Sequence, residues 1–488
     1  MTVRKAILLL ILLVSLIASH FSQAILNRNR ENLGLTRTAI ISNAPPILAF
    51  TTVALGGFRG LIANTLWIRT TELQEDGKYF EAVQLADWIT KLQPHFTTVW
   101  VHQAWNMAYN ISVKFPDPED RWLWVQRGIE LLRDEGMRYN PHEVMMYREL
   151  GWIFQHKMGA YLDDAHLTYK ARWAQRMEEV LPGGRPDYST LLQPSTLEAT
   201  NRLNALVNRY KLVPPIMKEI DERYGPLEWR LPESHAVYWA YRGLTEAKKE
   251  SDRAPLRRVV FQSMLTSFQR GRILTNIATR TVELGPNLNI VANTSRAYED
   301  MIAADEKLGD HFAKGHKNFL RDAVYFLYTA NREKEAAQWW AYCKKKYGDQ
   351  LAEQLNMTVE QFAIDRVSED VNETSPDRIK AVVTGLLTQG FIAMANSDDD
   401  RGESLLRFAT KVYTNYDERT SNKSMRQRVP IAPLNDLKLD VLRDLLQPNP
   451  EVNPEFQAGL RTRLNLPTMF GMPTAATTNK APIIPFRR

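Results

Sequence analysis

The feature that most constrains this chain is a succession of paired segments with helical apolar periodicity, the first three pairs closed by proline. Leu66–Leu73 and Val83–Leu92 lie either side of Gly77-Lys78-Tyr79-Phe80-Glu81-Ala82, and the second stops at Pro94. Trp100–Ser112 and Trp122–Arg138 flank the turn Lys114–Asp120, and Asn140-Pro141 ends them. Proline lacks the backbone N–H and restricts the residue before it, so no helix runs through these points. Helices this short are marginal alone and must bury their apolar faces against neighbours. No run of alternating Val, Ile and Thr suggests a sheet, so the expected fold class is all-α.

The spacing resembles the tetratricopeptide repeat, in which a small residue and an aromatic mark the turn, an alanine permits close helix approach and a proline ends the second helix. Aligning Gly77, Tyr79, Ala82 and Pro94 starts the first unit at Ala63. A 34-residue period then puts Trp100 where the family prefers tryptophan. A third unit opens at Tyr147-Arg148-Glu149-Leu150-Gly151-Trp152-Ile153-Phe154, with Asp163–Leu181 as its partner, Ala165 as the small residue and Pro182-Gly183-Gly184 as the stop. An insertion in the second unit accounts for its longer spacing. Further pairs are Leu197–Tyr210 with Ile216–Tyr224, His235–Glu250 with Leu256–Leu274, Phe319–Tyr328 with Ala337–Tyr347 around Ala336, and Arg378–Ala395 with Glu403–Tyr416. Asp436–Leu446 is the last expected helix. The resemblance implies a right-handed superhelical α-solenoid of helix hairpins with a concave groove.

The ends differ from this body. Arg4-Lys5 is followed by Ala6–Asn27 without a charge, enough to span about 30 Å of hydrocarbon as a helix. An uncleaved anchor and a signal peptide cut after Ser22-Gln23-Ala24 both fit. In either case the body is expected outside the cytoplasm, in a periplasmic or similar setting. The organisation expected is therefore 1–27 anchor or signal, 28–62 juxtamembrane linker and helix, 63–182 repeats, 183–447 degenerate hairpins and 448–488 a proline-rich extended tail. Residues 1–37 carry a net +4 and 449–488 a net +3 out of a total of +6, which leaves −1 for the 411 residues between. A folded body so nearly neutral argues against nucleic acid as a partner.

The search for chemistry yields no catalytic, cofactor or metal set. Cys343, the only cysteine, sits in Trp-Trp-Ala-Tyr-Cys and reads as a core thiol. His311 and His316 are five apart, which misaligns two helical ligands by roughly 140°. His156, Asp163, Asp164 and His166 flank a turn and read as solvated turn residues. Counted from Asn396, the segment Asn396–Gly402 has Arg401 at the sixth position, where a calcium loop needs glycine, and is followed by Arg407 at the twelfth, where it needs glutamate. No phosphate loop, dinucleotide fingerprint or nucleophile elbow is present. A helical hydrolase with two distant carboxylates, acting on an envelope polymer, is the alternative class.

What the tetratricopeptide resemblance implies instead is a binding groove on the first helix of each unit. Its positions there are occupied by Trp67 and Gln74 in the first unit, Trp105 and Tyr109 in the second, and Arg148, Trp152 and His156 in the third. This aromatic and polar set lacks the arrangement that clamps a peptide carboxylate. The expected function is that of a non-enzymatic, membrane-tethered scaffold holding a protein partner, an extended or helical segment of an envelope protein.

Overall fold

The computed structural model describes scattered residues between 14 and 29, then 59–160, 162–276, 281–304, 309–369, 376–421, 431–447 and 453–467. The N-terminal apolar run lies largely outside the described residues; Val14, Ile17, Phe21 and Ile25 within it are helical and exposed. Among the described residues no helix is long and apolar enough to cross a membrane. The fold is all-α, with about 20 helices and a single small β-hairpin among the described residues. Contacts divide it into two units: 1–153 with 163–169 and 242–248, and 154–162, 170–241 and 249–488.

In the first unit, α1 (Arg59–Glu75) packs on α2 (Tyr79–Leu92), and α3 (Thr97–Trp105) on α4 (Pro118–Glu130). A further helix, α5 (Val144–Trp152), packs on α3. Ala63, Ala86, Ile89 and Val99 form a fully buried cluster linking α1, α2 and α3. Gln103 Nε2 adds a hydrogen bond to the Val83 carbonyl at 3.1 Å. α3 and α4 approach so closely that a Cβ on Gly128 would lie 2.8 Å from the Ala104 carbonyl oxygen.

The helix-stopping prolines also serve as acceptors. The Pro94 carbonyl receives Trp100 Nε1 at 2.9 Å and Asn140 Nδ2 at 2.8 Å, and the Pro141 carbonyl receives the Tyr147 hydroxyl at 2.7 Å. In both repeats, then, an aromatic six residues after the proline anchors the next helix to the stop of the last. Trp100 and Tyr147 are almost wholly buried, each contributing about 1.5–3 kcal/mol through its apolar surface.

The unit 2 helices are α6 (His166–Val180, whose first four residues fall in unit 1), α7 (Tyr188–Leu192), α8 (Leu197–Asn208), α9 (Pro214–Tyr224), α10 (Pro232–Glu246, whose residues from Arg242 on fall in unit 1) and α11 (Glu250–Arg270). After the β-hairpin come α12 (Val291–Ala304), α13 (Gly309–Thr329), α14 (Glu333–Tyr347), α15 (Val359–Glu369), α16 (Pro376–Ala395), α17 (Asp399–Ser421), α18 (Leu434–Leu446) and α19 (Pro454–Arg463). α13 packs on α12 and α14, and α16 on α17, α18 and α19.

One hairpin turn recurs three times. Gly77, Asn331 and Ser397 take left-handed φ values of +74°, +61° and +66°. Each sits after the first helix of its pair in a paired C-cap: Lys78 N–H donates to Leu73 O and Gly77 N–H to Gln74 O, with the same offsets for Arg332 and Asn331 and for Asp398 and Ser397. Five residues beyond each left-handed residue stands a small buried one: Ala82, Ala336 and Gly402. The reason for smallness is plain at the third, where a Cβ on Gly402 would meet the Gly390 carbonyl oxygen at 2.9 Å and Met394 Cγ at 2.3 Å.

Two segments depart from the sequence expectation. The helix expected to run to Leu274 ends at Arg270, and β1 (Arg272–Asn276) pairs antiparallel with β2 (Thr281–Gly285). Gly271 caps the helix where a Cβ would sit 2.0 Å from the Ser267 carbonyl oxygen, and the Ile, Thr and Val content then favours strand. The tail expected to be extended from Pro448 contains α19, which buries Phe456 and Leu460. Pro454 stands at the first helical position, and Asn453 caps it by accepting the Glu455 N–H at 3.1 Å, so proline here starts a helix instead of breaking one.

Candidate recognition surface

Rings from three helices, α1, α3 with its continuation to Ile111, and α5, meet in unit 1. Trp67 on α1 lies half-buried against the cluster of Ala63 and Val99 and edge-on to His102, with centroids 5.0 Å apart. Along α3 and its continuation, His102 tilts against Trp105 at 6.4 Å, and Trp105 stacks on Tyr109 at 5.7 Å with planes 22° apart. The spacing of Trp105 and Tyr109, four residues, is what brings side chains together along a helix. Tyr109 exchanges a hydrogen bond with Trp152 on α5; because indole only donates, the phenol oxygen accepts it. The result is a connected ladder, Trp67–His102–Trp105–Tyr109–Trp152, with Trp105 39% exposed at its centre.

The other expected residues stand around this ladder or apart from it. Arg148 is exposed on α5 beside Glu149. Gln74 is half-buried with its Nε2 buried and unpartnered. His156 belongs to unit 2 and is half-buried; burial, then Lys157, lowers its pKa. Six of the seven expected residues, all but His156, therefore lie in unit 1 on α1, α5 and the length of α3 with its continuation. Four of those six are rings of the ladder, and a fifth is the Arg148 cation.

Register is altered by π-helical segments. α3 continues as a π-helix over Asn106–Ile111 and α4 as one over Leu131–Gly136, while Ile153–Gly159, of which all but Ile153 falls in unit 2, is a third. A π turn inserts a residue and rotates the side chains beyond it, and such insertions are frequent at functional sites. Within the first of these segments Ala108 is fully buried, while the next residue, Tyr109, stays on the ladder.

Glu149 is the residue that sequence reasoning missed. It is 7% exposed, its Oε1 has no hydrogen-bond partner, and burial pushes its carboxyl up to about 7 against a lowering influence from Arg148. Burial above all, and then the charge of Glu149, raises the neighbouring Tyr109 phenol far above its usual value. His102, also half-buried, is lowered by burial, and its Nδ1 is unpartnered. The surface thus backs its rings with under-satisfied polar groups and a carboxyl that titrates near neutral pH.

Of the turn residues read as solvated, Asp163 is instead buried. Arg121 binds Asp163 at 2.6 Å and Asp164 at 2.7 Å, and His166 Nδ1 contacts the Asp163 carbonyl at 2.7 Å. His316 is buried between the Ser295 and Tyr347 hydroxyls, both at 2.8 Å, and lowered to about 4 chiefly by burial. Cys343 is buried, which pushes its thiol up to about 11. Among the described residues no cluster of His, Cys, Asp and Glu could hold a metal ion. In comparison with known proteins, no family model matches the chain and no curated protein resembles it.

Proposed function

We propose that the chain is a membrane-tethered scaffold of tetratricopeptide-like hairpins that holds a protein partner in a concave groove on α1, α3 and α5. The carrying observation is the ladder from Trp67 to Trp152, in which one ring surface is assembled from three helices and leaves Trp105 in solvent. Aromatic and arginine anchors dominate binding energy in protein interfaces, and Arg148 is exposed on the same helix as Trp152. The three recurring turns, each with a left-handed residue and a small residue five places on, support the solenoid reading. The N-terminal apolar run, whose Val14, Ile17, Phe21 and Ile25 are exposed, is the proposed tether, with the body outside the cytoplasm.

Capture of the partner by the full-length anchored protein, followed by titration with that partner, tests this reading. Trp105→Ala and Arg148→Ala should each weaken binding by about thirtyfold, or about 2 kcal/mol, with helical circular dichroism unchanged. Undiminished binding by both variants would remove the basis of the proposal.

A further inference from the structure

In unit 2, a cavity of about 210 Å³ lies where β1, α13, α16 and α17 meet, with Arg272 and Arg401 both in its lining. Neither guanidinium has an ion-pair or hydrogen-bond partner among the described residues. The rest of the lining separates by chemistry: Gln389 and Thr329 are polar, while Phe326, Leu386 and Leu405 offer apolar walls. Two like charges brought to one cavity repel each other, and the raising influence of Asp398 on Arg272 does not offset the lowering ones. Arg401 stands in the first turn of α17, at the helix end where a cation is disfavoured by the backbone dipoles. Arg272 is exposed overall, yet partial burial of its guanidinium, and then the charges of Arg401 and Arg185, depress its pKa against a raising influence from Asp398.

We propose that this cavity binds a small amphiphilic anion, with a carboxylate or phosphate held between Arg272 and Arg401 and an apolar chain against Phe326, Leu386 and Leu405. Guanidinium groups present paired donors that match both headgroups. Gln389 and Thr329 add neutral hydrogen-bonding groups within the same lining. The site is separate from the ring ladder and does not depend on the scaffold reading. The empty protein carries an electrostatic strain which the ligand relieves.

Calorimetric titration of the full-length protein with octanoate, octyl phosphate, octanol and inorganic phosphate tests the proposal. Saturable binding of octanoate or octyl phosphate, whichever is tighter identifying the headgroup, is the expected result, with octanol silent and inorganic phosphate at least tenfold weaker. Arg272→Gln and Arg401→Gln should each weaken binding about tenfold or more, while the ligand-free variants melt no lower than the parent. Absence of binding by both octyl anions would overturn the proposal, as would binding that survives both substitutions or inorganic phosphate binding as tightly as octyl phosphate.

Discussion

The Glu149 carboxyl makes the stability of the first unit depend on pH in a direction opposite to that of most acidic side chains. In the fold it titrates at about 7, against 4.5 for an ordinary glutamate, because burial penalises the ionised form. Below about pH 4.5 the group is protonated whether folded or not and contributes no difference. As pH climbs from there through about 7, the unfolded chain releases its proton while the folded one must hold it, so stability falls and the full cost is present above that range. At about 1.4 kcal/mol per pH unit the gap corresponds to about 3 kcal/mol, and with 7% exposure little of it is lost to solvent screening. Glu149→Gln keeps the shape and removes the charge. Because the two units need not unfold together, the assay is amide hydrogen exchange in α5, comparing variant and parent at equal pH. Protection in the variant should exceed the parent's by about a hundredfold at pH 8 and match it at pH 4.5. An equal ratio at both pH values would refute the reasoning, since the benefit would then owe nothing to ionisation.

Other consequences are open to direct test. Ala82→Trp should destabilise the first hairpin by about 2 kcal/mol or more, since that side chain is fully buried, whereas exposed Lys78→Ala should be nearly silent; thermal melting of the pair checks this. Gly402→Val should cost about 2 kcal/mol by forcing α16 and α17 apart, seen as a lowered denaturant midpoint. Lys170 and Glu233 form a buried ion pair at 2.5 Å, so Lys170→Met should destabilise unit 2 by about 3–5 kcal/mol, and the double variant Lys170→Met with Glu233→Leu should recover much of the loss.

Much of this architecture is legible in the sequence because its signals are local. Gly77, Ala82 and Pro94 each mark a backbone requirement, and the same turn chemistry makes the Phe319–Tyr347 hairpin recognisable around Ala336. Trp100 and Tyr147 stand out as large aromatics at repeat positions, and their bonds to the Pro94 and Pro141 carbonyls give the physical reason. Features that depend on the assembled structure are hidden. A π-helical insertion at Asn106 has no compositional mark, so the change of register along α3 cannot be counted from the sequence. Glu149 reads as an ordinary surface acid until its neighbours bury it. The strand at Arg272–Asn276 is concealed by apolar residues that continue the helical pattern past Gly271, a stop that is there to be read.

The scaffold reading stands or falls on whether the Trp105 surface touches another protein. Photo-crosslinking from a reactive side chain substituted for Trp105 in the anchored protein, with one substituted for exposed Leu123 as the reference, measures this directly. The account predicts a discrete adduct to one protein from position 105, suppressed by Arg148→Ala, and none from position 123. Equal adducts from both positions, or none from position 105 under conditions where the partner is captured, would contradict it.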